Sequence, residues 1–380
     1  MKSISKYKVE KTIWIPVIIM AIISITTIYS AGNITPAHYG DLALKQFIWY
    51  VLGTGVILGV MTLGNKFIYR NIWILYGIGV LSLFILFIAP DWLATPVNGS
   101  KAWFTIPYIG TLQPSEFMKI VLILTLGVFI NDFNENNTNP DIKEELILIL
   151  KVLGITMLPS ILTFLQPDTG VVIIYFIIAF CMLFVSGIRK GWFIGIVVAV
   201  IVLLSTIIII YNSNQDLFIN IFGSNFFYRM DRLLFWQTGT GMQLNNSLAA
   251  IGSGGLFGNG FGNIAVYFPE ANTDFIFAVF ASNYGLFGSM LLILLLTFFD
   301  IKLISTTNKK INNISKYVIA GIIGMIVYQQ VQNIGMTIGL LPITGITLPF
   351  ISYGGSSLLS YMIIAGIIFT ISNETIRYKN

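Results

Sequence analysis

Apolar runs of about 20 residues, separated by short polar stretches, recur along almost the whole chain. A helix of that length crosses the hydrocarbon core of a bilayer. The pattern predicts ten spans, at about 13–31, 46–63, 72–90, 114–131, 145–165, 170–188, 191–211, 275–299, 317–340 and 352–372. Pro159 interrupts the fifth and several carry glycines, which membrane helices tolerate where neighbours satisfy the freed backbone groups. The expected fold is an all-α polytopic membrane protein, one transmembrane domain over residues 1–380 with about ten transmembrane helices. The segment 131–145 is polar, acidic and asparagine-rich, and reads as a flexible loop. The connection at about 212–274, before the eighth span, is the longest. Its first part is unusually apolar (Leu217, Phe218, Ile219, Ile221, Phe222, Phe226, Phe227), as expected of an amphipathic piece on the membrane surface.

Composition agrees with this pattern. The chain is 56% hydrophobic and only 10% charged, against about 25% charged in soluble proteins. Its net charge of +5 is spread over short loops, which points to topology and not to nucleic acid. Lys and Arg placement sets the orientation. With the amino terminus inside, inner segments hold Lys2, Lys6, Lys8, Lys11, Lys66, Arg70, Lys143, Arg189, Lys190, Lys302, Lys309, Lys310, Lys316, Arg377 and Lys379. Outer loops hold only Lys45, Lys101, Arg229 and Arg232, while Lys119 and Lys151 fall within spans or at their edges. Both termini are therefore expected in the cytoplasm and the long loop outside. The basic start resembles a signal peptide, but the first apolar run is longer than a signal core, so an uncleaved helix is expected. A single cysteine, Cys181, excludes an intrachain disulfide and a multi-thiolate metal site, and a single histidine, His38, argues against His-based catalysis.

Charged and polar groups in so oily a chain mark the candidate chemistry. Asp274 closes the long outer loop, four residues after Glu270. It can cap the following helix, or serve as a general base whose pKa partial desolvation raises; the two roles are compatible. Glu116 and Lys119, in Gln113-Pro114-Ser115-Glu116-Phe117-Met118-Lys119, share a helix face. They form either a structural salt bridge or a pair facing a polar cavity, since a charge at the centre of a span costs about 2.5–3.5 kcal/mol. Asp168, in Gln166-Pro167-Asp168-Thr169-Gly170, has the same choice between helix cap and cavity. Lys101 stands beside Trp103 and either snorkels or meets an anionic headgroup. Arg229 and Arg232 flank Asp231, and offer either a loop salt bridge or guanidinium forks for a diphosphate. The glycine run from Gly252 to Gly262 lacks the Gly-Lys-Ser/Thr ending of a nucleotide loop, so tight turns and close backbone approach suffice to explain it. Finally, 332–345 and 348–357 put prolines, glycines and hydroxyls, Ser356 among them, at membrane depth. Such a broken segment must be buried in protein or line a cavity, as it also does in channels and transporters.

Taken together, these motifs resemble the SEDS family, the polytopic peptidoglycan polymerases typified by RodA and FtsW. The resemblance rests on Asn98-Gly99 with Trp103, Gln113-Pro114-Ser115-Glu116 with Lys119, Gln166-Pro167-Asp168 with Gly170, and Ala250-Ile251-Gly252-Ser253-Gly254-Gly255. It rests further on Pro269-Glu270-Ala271 with Thr273-Asp274-Phe275 and on the stretch 333–357, all in family order. Two departures are Ser282-Asn283, where the family often has acids, and Ala102, at a frequently basic position. Short tails and the wording from Gly339 to Phe350 lean towards the RodA branch. The resemblance implies glycosyltransfer on lipid II, for cell elongation or division, with Asp274 as the catalytic loop aspartate. It implies substrate-binding roles for Glu116, Lys119, Asp168 and Ser356, and diphosphate stabilisation by Lys101, Lys119, Arg229 or Arg232, with no organic cofactor but with a divalent cation (Mg or Mn) as a candidate helper. It also implies a class B penicillin-binding protein as partner, besides membrane lipids, and the bacterial cytoplasmic membrane as location. Two competing readings stay open on the residues alone: a flippase for lipid-linked precursor, and a non-catalytic membrane scaffold.

Overall fold

A chain of this pattern has to satisfy its backbone without water, and it does so almost entirely with helices. The computed structural model describes residues 11–34, 40–96, 100–106, 110–224, 226–227, 230, 234, 242–307 and 312–377. The elements are α1 (Lys11–Ala31), α2 (Gly40–Leu63), α3 (Asn65–Arg70), α4 (Ile72–Ile88), a small antiparallel ribbon of β1 (Phe104–Ile106) and β2 (Gly110–Leu112), α5 (Pro114–Asn136), α6 (Ile142–Leu165), α7 (Thr169–Val185) and α8 (Lys190–Ser213). After these come α9 (Gln215–Phe222), α10 (Met242–Ser253), α11 (Ile276–Thr307), α12 (Asn313–Thr337) and α13 (Gly355–Arg377). Among the described residues seven helices, α1, α2, α6, α8, α11, α12 and α13, are long and apolar enough to cross a membrane, and α4 and α7 are shorter apolar helices. With α5, whose first turns carry Glu116 and Lys119, they account for the ten predicted spans. The core is built from α5, α7, α12 and α13, while α8 buries only Phe193 and Tyr211.

Polar contacts sort the helix ends into two groups. At one end Asn134 Nδ2 donates to Ser186 O and to the Tyr317 hydroxyl, both at 2.8 Å, and Trp192 Nε1 donates to Glu145 Oε2 at 2.7 Å. The expected flexible loop at 131–145 shrinks to a short turn there, because α5 runs on to Asn136 and a reciprocal Asp141–Glu144 capping box starts α6. At the other end lie the starts of α5, α7, α11 and α13 and the long connection. Its apolar first part folds as α9, capped by Asn214, with Phe218 fully buried among Tyr211, Phe226 and Phe227 and with Leu217 and Ile221 exposed.

Two segments break the regular crossing. The eighth span is not one rod, as the apolar run at 275–299 suggests. Gly285 (φ 65°, ψ −162°) leaves helical geometry, and a methyl on Gly288 would meet Tyr284 Cβ at 2.3 Å and the Phe280 ring at 3.8 Å, so the chain bends sharply. A rising arm, 276–284, brings Asn283 Nδ2 within 2.6 Å of Ser30 Oγ near the end of α1, and the crossing proper runs from 286 to 307. The glycine run supplies the bonds that this bend frees. Gly255 O and Leu256 O accept from Leu286 N (2.9 Å) and Phe287 N (3.1 Å), and Asn259 N and Gly260 N donate to Ser282 O (2.9 Å) and Asn283 O (3.2 Å). Close approach is possible only without a side chain: a Cβ on Gly258 (φ +88°) would stand 2.1 Å from Asn283 O. Gly258→Ala is therefore expected to destabilise the protein by about 3 kcal/mol, from backbone strain plus overpacking; thermal unfolding in detergent measures it, with Gly252→Ala, which has open space, as the control.

The second break is 338–354, between α12 and α13. Side chains of the neighbouring helices take its backbone groups. Ser24 Oγ donates to Ile351 O (2.7 Å), Gln46 Nε2 donates to Ser352 O (3.2 Å), the Tyr50 hydroxyl donates to Phe350 O, and Gln332 Nε2 donates to Pro342 O (2.8 Å). Ser24 lies seven residues before the end of α1, so this non-helical segment dips about 10 Å below the helix ends.

Candidate functional site

The two broken segments hold each other and enclose a cavity of about 450 Å³. Ser352 Oγ donates to Thr273 O (2.6 Å) and Tyr353 N donates to Asn272 O (2.8 Å). Asn333, fully buried on α12, spends both amide protons on Asp274 O and Ile346 O, each at 2.8 Å. The backbone on either side of Asp274 is thereby pinned about 10 Å down from the helix ends. The turn before it is tight: Glu270 sits in the left-handed region (φ 56°) and its carbonyl accepts from both Thr273 N and Phe275 N. Strain of this kind, about 1–3 kcal/mol, persists where the surroundings over-determine the backbone.

Asp274, Glu270, Asp168 and Glu116 all line the cavity, together with Gln113, Gln329, Thr344 and Ser356. Each acid is held differently. Asp274 takes no hydrogen bond on its carboxylate among the described residues and does not cap α11. Desolvation first, then the charges of Glu270 and Asp168, push its pKa from 3.8 up to about 7. Asp168 does cap α7, through Val171 N (3.2 Å), and also accepts from Gln113 Nε2 (2.9 Å) and Ser115 Oγ (3.4 Å). Burial still raises its carboxyl above the ordinary value, opposed by the Val171 amide. Glu116 is locked to Lys119, whose Nζ lies 2.8–2.9 Å from both carboxylate oxygens. Lys119 is fully buried below the cavity wall, 5.6 Å from the centre of the Tyr361 ring. Both earlier readings of this pair thus hold at once: it is a salt bridge, and its acid faces the cavity.

The other expected site residues divide. Ser356 lines the cavity, but its hydroxyl accepts from Gln113 N (3.0 Å) and donates to Thr111 O (3.3 Å), which ties α13 to the β2–α5 junction. Lys101 is not among the lining residues. Ser100 and Trp103 are, while the Lys101 ammonium pairs with exposed Asp91 at 2.9 Å; such surface pairs contribute at most about 1 kcal/mol. Arg229, Arg232, Asn98, Gly99 and His38 lie outside the described residues. Sequence reasoning did not single out Gln329 or Tyr361, and it took Asn333 only as part of the broken stretch 332–345. Their signal was present: amides at 329, 330, 332 and 333 in an otherwise apolar span need partners inside the protein. Among the described residues no three His, Cys, Asp or Glu side chains converge as a metal cage. The Glu270 carboxylate, on the cavity lining, nevertheless fits the one or two carboxylates with which Mg²⁺ is commonly held when phosphate oxygens complete its shell.

An acidic, partly desolvated cavity at one membrane face, where the Asp274 carboxylate takes no hydrogen bond among the described residues and is poised near neutrality, suits proton abstraction from a hydroxyl. Comparison with known proteins agrees in outline. The cell cycle protein family FTSW_RODA_SPOVE matches residues 10–377. A relative from Enterococcus hirae, called probable peptidoglycan glycosyltransferase FtsW, is 30% identical over 98% of this chain and 95% of its own length. Among solved structures, the Thermus thermophilus rod shape determining protein RodA is 21% identical, with a TM-score of 0.68 over 98% of this chain and 99% of its own. A chain of a peptidoglycan synthase complex that coordinates polymerization and crosslinking is 22% identical, with a TM-score of 0.73 over 95% of this chain and 98% of its own. At such identities the two structures speak for the fold.

Proposed function

Because this chain belongs to the FtsW, RodA and SpoVE family of cell cycle proteins, we propose that it is a peptidoglycan glycosyltransferase that polymerises lipid II. The working face is the outer face of the bacterial cytoplasmic membrane, with both chain termini inside, as the Lys and Arg distribution favours. The observation that carries the reading is Asp274, a carboxylate without a hydrogen-bond partner among the described residues and raised to about 7, in a cavity that the two broken membrane segments build.

In this reading Asp274 takes the proton of the acceptor sugar's 4-hydroxyl. The freed oxygen forms the new bond to the anomeric carbon of the growing chain, whose bond to the undecaprenyl diphosphate oxygen breaks. The diphosphate leaves with the bonding pair, and the proton stays on Asp274 until solvent removes it. Asp168 and the Glu116–Lys119 pair keep the wall of the cavity polar. Arg229 and Arg232 are the forks assigned to the departing diphosphate. A divalent cation, when bound, would offset diphosphate charge, and Glu270 would supply the carboxylate that holds it. The partner is a class B penicillin-binding protein that crosslinks the strands.

The test is purified protein, with and without such a partner, incubated with lipid II and analysed for glycan chains. Chains from the wild type and none from folded Asp274→Asn support the enzyme and its base. Absence of chains from the wild type with its partner present, alongside lipid II transfer across vesicles, would replace this reading with a flippase.

A further inference from the structure

Two buried polar atoms on the cavity wall have no partner among the described residues, and they are of complementary kinds. Gln329 is 1% exposed and lines the cavity. Its Nε2 donates to the Tyr361 hydroxyl at 2.9 Å, which fixes the amide and leaves Oε1 without a hydrogen bond. Thr344, on the dipping segment 338–354, also lines the cavity, and its hydroxyl is equally unpartnered. A buried polar atom left unpaired costs about 1–3 kcal/mol, so natural proteins keep one where something else completes it.

Position says what arrives there. Gln329 and Asn333 are four apart on α12 and so lie on one face, about 5–6 Å from each other. Asn333 holds the Asp274 backbone, so Gln329 lies one helical turn along α12 from the side chain that seats Asp274, and both Gln329 and Asp274 line the same cavity. The segment carrying Thr344 runs along the same face. Ile346 O meets Asn333 Nδ2 at 2.8 Å, and Thr347 Oγ1 lies 3.4 Å from the Tyr361 hydroxyl that holds Gln329. Gln329 Oε1 can only accept, whereas the Thr344 hydroxyl can donate. An acceptor and a donor on the wall of one cavity are together the complement of a secondary amide.

We propose that Gln329 and Thr344 form a subsite for the acetamido group of a sugar bound against Asp274, the acetamido N–H donating to Gln329 Oε1 and its carbonyl accepting from Thr344 Oγ1. The subsite rests on the glycosyltransferase reading and extends it. It makes Gln329 and Thr344 binding residues that select N-acetylated sugars, since a buried site built for a hydrogen bond rejects a substrate that lacks it.

The probes are lipid II and an analogue whose acetamido groups are replaced by acetoxy groups, which keep the shape and the carbonyl but lack the N–H. Wild-type protein with its partner is expected to use the analogue about tenfold to hundredfold less well in kcat/KM. Gln329→Leu should lose a similar factor on lipid II itself and show almost no preference between the two. Thr344→Val should weaken both substrates alike, because the carbonyl that it serves is present in each. The position of the acid limb of the pH profile, set by Asp274, should not move. If Gln329→Leu folds poorly, Gln329→Glu, which keeps an acceptor, provides the second arm, with lipid II still used and the analogue still rejected. Unchanged discrimination in Gln329→Leu, or a wild type indifferent to the analogue, overturns the subsite while chain synthesis by the wild type leaves the enzyme reading intact. No chains from the wild type sinks the enzyme reading instead.

Discussion

Asp274→Asn is expected to lower glycan synthesis from lipid II by about 10²- to 10⁴-fold, the factor that a positioned general base supplies, in a protein that still folds. The wild type should lose activity as the pH falls through about 7, because only the ionised carboxylate can take the hydroxyl proton. A pH–rate profile measured at saturating lipid II checks both the limb and its disappearance in the variant. The same group makes a signed prediction about stability. Its folded-state pKa lies above the ordinary 3.8, so between there and about 7 the folded protein binds the proton that the unfolded chain has released. Stability therefore declines as pH rises across that window, and the full penalty is present above about 7. Asparagine removes the ionisation. The variant should melt at the wild-type temperature near pH 4 and above it at pH 8, where detergent-solubilised protein can be followed by intrinsic fluorescence.

Lys119→Met is the second large effect, and it acts on the frame. Removing the ammonium leaves Glu116, 5% exposed, without the one cation that it pairs with among the described residues. Breaking one partner of a buried pair costs about 3–5 kcal/mol, much of it the stranded charge. Glu116→Gln in the same chain removes that charge, so the double variant should recover most of the loss. A double-mutant cycle on unfolding reads this out as strong coupling. Activity should track the cycle only in part, since Glu116 also faces Asp168, and Asp168 faces Asp274, across the cavity. A cycle with no coupling would mean that the pair is not the joint that the geometry makes it.

The ten crossings are legible because each is a run of apolar residues at about the length that a bilayer demands, and apart from the eighth only their ends differ. What hydropathy could not report is direction. The run 275–299 reads as one span, yet it turns at Gly285, because a single left-handed glycine changes no hydropathy and its pairing partner, the run at 252–262, is some 30 residues away. That run was correctly read as serving close backbone approach, but what it approaches is a tertiary fact. The acids Asp274, Asp168 and Glu116 were visible as charges out of place, and they do meet. The Glu116–Lys119 pairing is legible in their spacing of three, but whether Asp168 is paired is not, since the answer depends on Gln113 and Ser115 arriving from another helix. Ser356 shows the opposite case: a residue in a chemical-looking stretch whose hydroxyl closes a backbone joint.

The dipping segment 338–354 also has a consequence for how the molecule is made. Thr273 and Asn272, which flank the working carboxylate, are held by Ser352 and Tyr353, some 80 residues later in the chain. Synthesis runs from the amino terminus and inserts helices in order, so Asp274 reaches the membrane long before the groups that seat it. A nascent or truncated chain lacking the last helix carries the aspartate but no finished pocket around it. Competence then arrives with the final insertion step, and incomplete copies released into the bilayer are inert by construction.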